Sequence, residues 1–256
     1  MDILQVLIFG VVEGVTEFLP ISSTGHLMLV AKLFLISQSE FMKSFEIIIQ
    51  LGAIFAVLVL YWSRLSKSLD IWKKLFVAFI PAAIIGAFLY KLIKGCFLGN
   101  NNLVLWSLFL GGIVLIIFEL LHKEKDADID ELSSISYAQA LFIGFFQCLA
   151  MVPGVSRSAA TIIGGLAVGL KRKTIVEFSF LLAIPTMLAA CVLDFYKSAH
   201  IFKSGQFLSL GLGFIVSFIV AVAAIKFLLA FIKHHSFIPF GIYRIFIALV
   251  FWFIIR

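Results

Sequence analysis

Two glutamates stand in the middle of an apolar run, Val11-Val12-Glu13-Gly14-Val15-Thr16-Glu17-Phe18-Leu19-Pro20, which continues Ile21-Ser22-Ser23-Thr24-Gly25-His26. A charged side chain at mid-bilayer costs roughly 2.5–3.5 kcal/mol on insertion scales, so each glutamate needs a reason. Four residues apart, they share one helical face and repel. A divalent cation, or a cation with a phosphate behind it, relieves that repulsion. Leu19-Pro20 ends the helix, because a residue before proline leaves the α region. Ser22, Ser23 and Thr24 then bring hydroxyls to the start of the next half-helix, where free N–H groups and the helix dipole favour an anion. His26 follows within one turn of Ser23. A second broken stretch, Pro153-Gly154-Val155-Ser156-Arg157-Ser158, offers another hydroxyl-bearing N-terminus. Arg157 is the one arginine there, and its fork matches phosphate oxygens. Singly these residues have plain readings: Ser22 or Thr24 as ordinary caps, His26 as a hydrogen-bonded membrane histidine, Arg157 as counter-ion to Glu13 or Glu17. Together they point to phosphate chemistry.

The elements that must position them are membrane helices. Of the 256 residues, 62% are hydrophobic and 13% charged, and the mean hydropathy is +1.15. Soluble domains hold about 45–50% apolar and about 25% charged residues. The expected fold is an all-α polytopic membrane protein. Full spans are expected at 44–62, 75–93, 103–121, 175–196, 207–232 and 239–256, each near the ~20 residues a crossing needs. Regions 1–36 and 137–169 are apolar but broken. Irregular backbone at membrane depth is tolerated only inside protein or along a cavity, so both are expected to be re-entrant helix pairs. Gly10-Val11-Val12-Glu13 with Pro20-Ile21-Ser22-Ser23-Thr24 aligns with Gly144-Phe145-Phe146-Gln147 and Gly154-Val155-Ser156-Arg157-Ser158 at a constant offset of 134. One integral domain is therefore expected, with repeat one about 1–121, a polar linker about 122–136 and repeat two about 137–256. With the loop at 63–74 cytoplasmic, ten basic residues fall inside against seven outside, the expected direction of bias. The repeats are then inverted, and their tips meet near the midplane.

The remaining features are plainer. The net charge of +6 lies mostly in loops and fits anionic lipid, with no case for nucleic acid. Cys96, Cys148 and Cys191 read as unpaired packing residues. The first segment lacks a basic n-region and a cleavage site, so it is not read as a signal peptide. His122 to Glu131 reads as a solvated linker rather than a cation site. His200, His234 and His235 are expected in loops or interfaces. Lys226 and Arg244 are expected to snorkel. Gln50 is a candidate to face the cavity, and Pro81 and Pro185 are expected to kink helices around it.

The run Glu13-Gly-Val-Thr-Glu17-Phe-Leu-Pro-Ile-Ser-Ser-Thr-Gly-His26, with Pro153-Gly-Val-Ser-Arg-Ser-Ala-Ala-Thr161, resembles the two signature motifs of the undecaprenyl-diphosphatase (bacitracin-resistance) family. The resemblance spans essentially the whole chain. It implies an enzyme of the bacterial plasma membrane that removes the terminal phosphate of a polyisoprenyl diphosphate lipid carrier for cell-wall synthesis. It also implies a divalent cation, Mg²⁺ or Ca²⁺, two inverted repeats, a homodimer and a site open to the outer, periplasmic side. By resemblance, Glu13 and Glu17 are the acidic pair that holds the metal. Ser23 matches a nucleophile, Thr24 a phosphate-contacting hydroxyl and His26 the motif histidine. Ser22, Ser156 and Arg157 complete the phosphate-binding set. Ala159 departs from the glycine expected there, without disturbing Ser156 or Arg157. In the implied mechanism Ser23 attacks the terminal phosphorus, and Glu17 or His26 takes its proton. His26 or water as nucleophile stays open, as does Glu17 as metal ligand or base. Two rivals share some features. A lipid transporter would use the same broken-helix architecture, and the type-2 phosphatidic acid phosphatases share Ser-Gly-His-like and Ser-Arg elements but need a Lys-x6-Arg-Pro that is absent here.

Overall fold

The computed structural model describes residues 1–37, 39–92, 100–125, 128–198 and 206–255. The readings made for Cys96 and His200, and the charges at Lys94, Asp126, Lys203 and Arg256, lie outside the described residues. Among those described, regular structure is helical. The helices are α1 (Ile3–Thr16), α2 (Ser23–Leu33), α3 (Glu40–Leu65), α4 (Leu69–Leu92), α5 (Asn101–Leu121), α6 (Tyr137–Gln147), α7 (Arg157–Ala167), α8 (Arg172–Ser198), α9 (Phe207–Phe231) and α10 (Ile238–Ile255). Five are long and apolar enough to cross a bilayer: α3, α4, α5, α8 and α9. This is a multi-pass membrane protein. The sixth expected span, 239–256, is met by α10 to within one residue at each end. Its 18 residues reach roughly 27 Å at 1.5 Å each, just under the ~30 Å hydrocarbon core.

Each broken region folds as two short helices around an irregular turn, and local chemistry explains the ends. Asp2 caps α1 in a reciprocal box with Gln5, and Ser136 caps α6 in the same way with Gln139. At the first break the Thr16 hydroxyl bonds back to Val12 O at 2.6 Å, and Pro20 blocks continuation. Ser22 then takes a positive φ of 73°, and its Oγ accepts the Gly25 N–H at 3.3 Å. Ser156 repeats this with φ 77° and an Ala159 N–H bond of 3.2 Å. Positive φ at a non-glycine residue is uncommon. These two stand 134 positions apart, each at the N-cap of an 11-residue helix.

The first unit packs into the second half of the chain and the second unit into the first. α1 lies against α9 while α6 lies against α4, and α3 crosses both α8 and α9. Close approach explains the small residues. A Cβ at Gly14 would stand 2.7 Å from Ser217 O of α9, and one at Gly144 would overlap the Ala78 backbone of α4. Phe18, Leu19 and Ile21 of the first turn are buried in the main core, with Phe18 edge-on to Phe180 at 5.2 Å. The irregular backbone is therefore covered by protein, as its unpaired polar groups require.

The linker between the halves is solvent-exposed at 123–125 and 130–131, as expected, and is also tied down. Ile129 N–H bonds Gly169 O at 2.9 Å, and Lys171 N–H bonds Ile129 O at 3.0 Å. Arg172 pairs with Glu119 and Glu124, and Lys171 with Asp130. Glu124 and Asp130 of the linker thus answer Arg172 and Lys171 at the start of α8.

Candidate active site

The two breaks meet at a cavity of about 680 Å³. The first turn and α2 supply Glu17, Ser22, Ser23 and Thr24, and the second turn and α7 supply Gly154, Ser156 and Arg157. Gln50 of α3, Gln147 of α6 and Thr186 of α8 complete the polar wall, and residues 79–87 of α4 with 189–190 of α8 form an apolar one. Ser158 Oγ donates to Phe18 O at 2.9 Å and joins the two turns directly. Pro81 lies inside α4 between the lining residues Phe79 and Ala82, and Pro185 lies inside α8 just before Thr186.

Glu17 is the hub. Its Oε2 accepts the Ser23 hydroxyl at 2.6 Å, and its Oε1 accepts Arg157 Nη2 at 3.2 Å. Arg157 Nη1 donates to Ser179 O at 2.6 Å, while Nε has no partner. The Glu17 and Arg157 side chains are only 3% and 9% exposed, so water screens the pair little. A hydroxyl bonded to a carboxylate, with a guanidinium beside it, has the geometry of a nucleophile, a base and an anion clamp. Ser22 and Ser156 line the cavity while capping their helices, so their hydroxyls hold the N-termini open toward it.

Glu13 lies behind this group. It is 1% exposed, outside the cavity wall, and neither carboxylate oxygen has a hydrogen-bond partner. The charges acting on it are Glu17, Glu46 of α3 and Arg157. Glu46, one turn before Gln50, was not singled out from the sequence, although an acid at the edge of an apolar span was a usable signal. No group of three His, Cys, Asp or Glu residues able to hold a metal occurs among the described residues. The orphaned Glu13 oxygens beside Glu17 nevertheless suit a hard cation held by two carboxylates and completed by substrate phosphate, a common Mg²⁺ arrangement.

His26 does not face the cavity. Its Nδ1 meets Ser22 O at 2.8 Å, its Nε2 meets Tyr243 OH at 2.9 Å, and its ring stacks on Tyr243. Both nitrogens are engaged in bracing the Ser22 cap from behind.

Arg244 corrects an expectation. It does not snorkel: it is 0% exposed and donates to five backbone carbonyls. These are Ser107 O and Leu108 O of α5, Pro20 O of the first turn, and Gly154 O and Val155 O of the second, at 2.9–3.4 Å. Gly111 and Gly112 of α5 leave the room that its side chain fills. Snorkelling requires a helix end near water, but Arg244 lies six residues into α10, about 9 Å along its axis. Lys226 is exposed near the end of α9, His234 and His235 are exposed in the loop after it, as expected of them, and Cys148 and Cys191 are not joined in a disulfide.

Residues 6–250 match the family described as bacitracin resistance protein BacA. The chain is 53% identical over 253 residues to an undecaprenyl-diphosphatase of Wolinella succinogenes, covering 99% of this chain and 98% of that one. It is 50% identical to the undecaprenyl-diphosphatase of Persephonella marina (98% of each chain) and 52% to that of Aquifex aeolicus (96% of each).

Proposed function

The chain belongs to the bacitracin resistance protein BacA family, and from that premise we infer that it is an undecaprenyl-diphosphatase. It hydrolyses the terminal phosphate of a polyisoprenyl diphosphate lipid. The observation that carries the reading to particular residues is the Ser23–Glu17–Arg157 contact set at the meeting of the two turns. Ser23 Oγ attacks the terminal phosphorus, its proton passes to Glu17 Oε2 and on to the departing oxygen, and the lipid monophosphate leaves with Glu17 again a carboxylate. Water then attacks the phosphoserine, giving one proton to Glu17, which returns it to Ser23 Oγ as the Ser23 O–P bond breaks and inorganic phosphate departs. Arg157 and the N–H groups at the starts of α2 and α7 stabilise the charge on the phosphoryl oxygens, and such preorganised electrostatics usually supply most of the rate enhancement in phosphoryl transfer. Glu13 and Glu17 would hold Mg²⁺ or Ca²⁺, which would offset carboxylate repulsion and draw charge from the phosphate. His26 acts by position, holding the Ser22 cap.

The two helix–turn–helix units are read as re-entrant pairs in inverted repeats. Support comes from the equal lengths of α2 and α7, the capping boxes that start α1 and α6, and the positive-φ serines at one offset. The cavity lines α4 and α8 beyond their midpoints, away from the basic starts near Lys73, Lys74 and Arg172. With the basic face cytoplasmic, the site opens to the outer side of the plasma membrane. The lipid tail leaves between α4 and α8.

The test is phosphate release from a polyisoprenyl diphosphate by purified protein in detergent, with and without EDTA, for wild type, Ser23→Ala and Glu17→Gln. Expected are metal-dependent turnover in wild type and losses of at least about 10²-fold in both variants. Full activity in Ser23→Ala would refute the serine mechanism. Turnover insensitive to EDTA would refute the cation.

A further inference from the structure

Gln147 has a feature that this chemistry leaves unused. It ends α6, lines the cavity and is 3% exposed, yet its amide nitrogen Nε2 has no partner. A buried donor left unpaired is costly, so one that persists at a cavity wall points to a guest. The amide is oriented from its other side. Thr186 Oγ1 shares its proton between Leu182 O at 2.7 Å and Gln147 Oε1 at 3.3 Å.

The position is as informative as the unpaired donor. Arg157 is anchored on Ser179 of α8, and Gln147 on Thr186 of the same helix. Those residues are two turns apart, about 10 Å along the axis. Ala189 and Ala190 of the apolar wall come within the next turn. Along α8 the order is therefore the arginine clamp, the Gln147 amide, then the surface suited to a lipid. A reacting phosphorus must lie about 3–3.5 Å from Ser23 Oγ. The second phosphate, joined to it through one oxygen and carrying the lipid, extends from there toward the apolar wall. Its oxygens need donors about 2.9 Å away.

We propose that Gln147 Nε2 is the donor to the retained, lipid-linked phosphate, and that Gln147 with Thr186 forms a subsite setting which phosphorus reaches Ser23. The proposal rests on the diphosphatase reading above. A lipid monophosphate seated in this subsite presents no phosphorus to Ser23, so the product is not degraded further. A neutral amide also holds that phosphate without the grip of a cation, which favours release.

Gln147→Met and Gln147→Glu in the full-length protein test it, with polyisoprenyl diphosphate as substrate and polyisoprenyl monophosphate as product inhibitor. Gln147→Met is expected to raise KM and the product inhibition constant together, each about tenfold, with kcat within about threefold of wild type. Gln147→Glu keeps the size and the Thr186 bond but opposes phosphate with charge, and is expected to be the worse of the two. A structural role, or an amide presenting its oxygen to the cavity, predicts the opposite order, with Gln147→Glu tolerated. That order, or unchanged KM and product inhibition in both variants, overturns the proposal. A wild type that releases no phosphate overturns the diphosphatase reading itself, and Gln147 with it.

Discussion

At the residue scale, the site depends on how many partners each side chain can serve at once. Arg157 spans Ser179 O and the Glu17 carboxylate with two different nitrogens, which only a planar fork can do. Arg157→Lys keeps the charge and loses one of those bonds, so Glu17 is no longer held against Ser23. A fall in kcat of about 10²–10³-fold is expected, as for losing one preorganised donor to a developing oxyanion. Steady-state phosphate release checks it, with detergent size-exclusion profiles showing normal assembly; near wild-type turnover would mean that charge alone suffices. The acidic pair was legible in the sequence because a carboxylate in lipid is costly. Its division of labour was not, because Glu13 and Glu17 have the same chemistry and differ only in what packs beside them. The serine hydroxyl and Arg157 are on Glu17, while Glu13 is left with bare oxygens.

At the element scale, α10 is the helix that sequence reasoning undervalued. It contributes nothing to the cavity wall, yet consecutive residues of it brace both turns. Tyr243 holds His26 behind the Ser22 cap, and Arg244 gathers carbonyls from both breaks. Gly111→Ala tests the device without touching the site, since the new methyl would overlap the Arg244 guanidinium. The guanidinium is held by five carbonyls and has nowhere to shift. Expected is a loss of about 1–3 kcal/mol of stability, read as a lower melting temperature in detergent, together with reduced kcat. An unchanged melting temperature and rate would show that Arg244 can relax freely.

At the scale of the whole molecule, the claim most open to direct measurement is orientation. Leu35 follows α2 and Lys67 follows α3, and both are exposed. In a background without native cysteines, a membrane-impermeant maleimide added to intact cells is expected to label Leu35→Cys and spare Lys67→Cys until the membrane is opened. The reverse pattern would turn the cavity toward the cytoplasm.

A multi-pass helical membrane protein is legible from composition and pattern alone, because hydrocarbon admits few charges and forces backbone polar groups to pair within helices. The places where those helices break, and the residues there that suit phosphate, are equally legible, since proline, serine caps and buried charge act locally. Which of these residues touch is set by the packing of the helices in three dimensions. Glu17 and Arg157 lie 140 positions apart, and nothing local brings them to 3.2 Å. The same holds for His26 turned to Tyr243, for Arg244 drawn inside, and for Gln147 left with an unpaired amide. Each depends on long-range packing between the two halves of the chain, which local pattern does not encode.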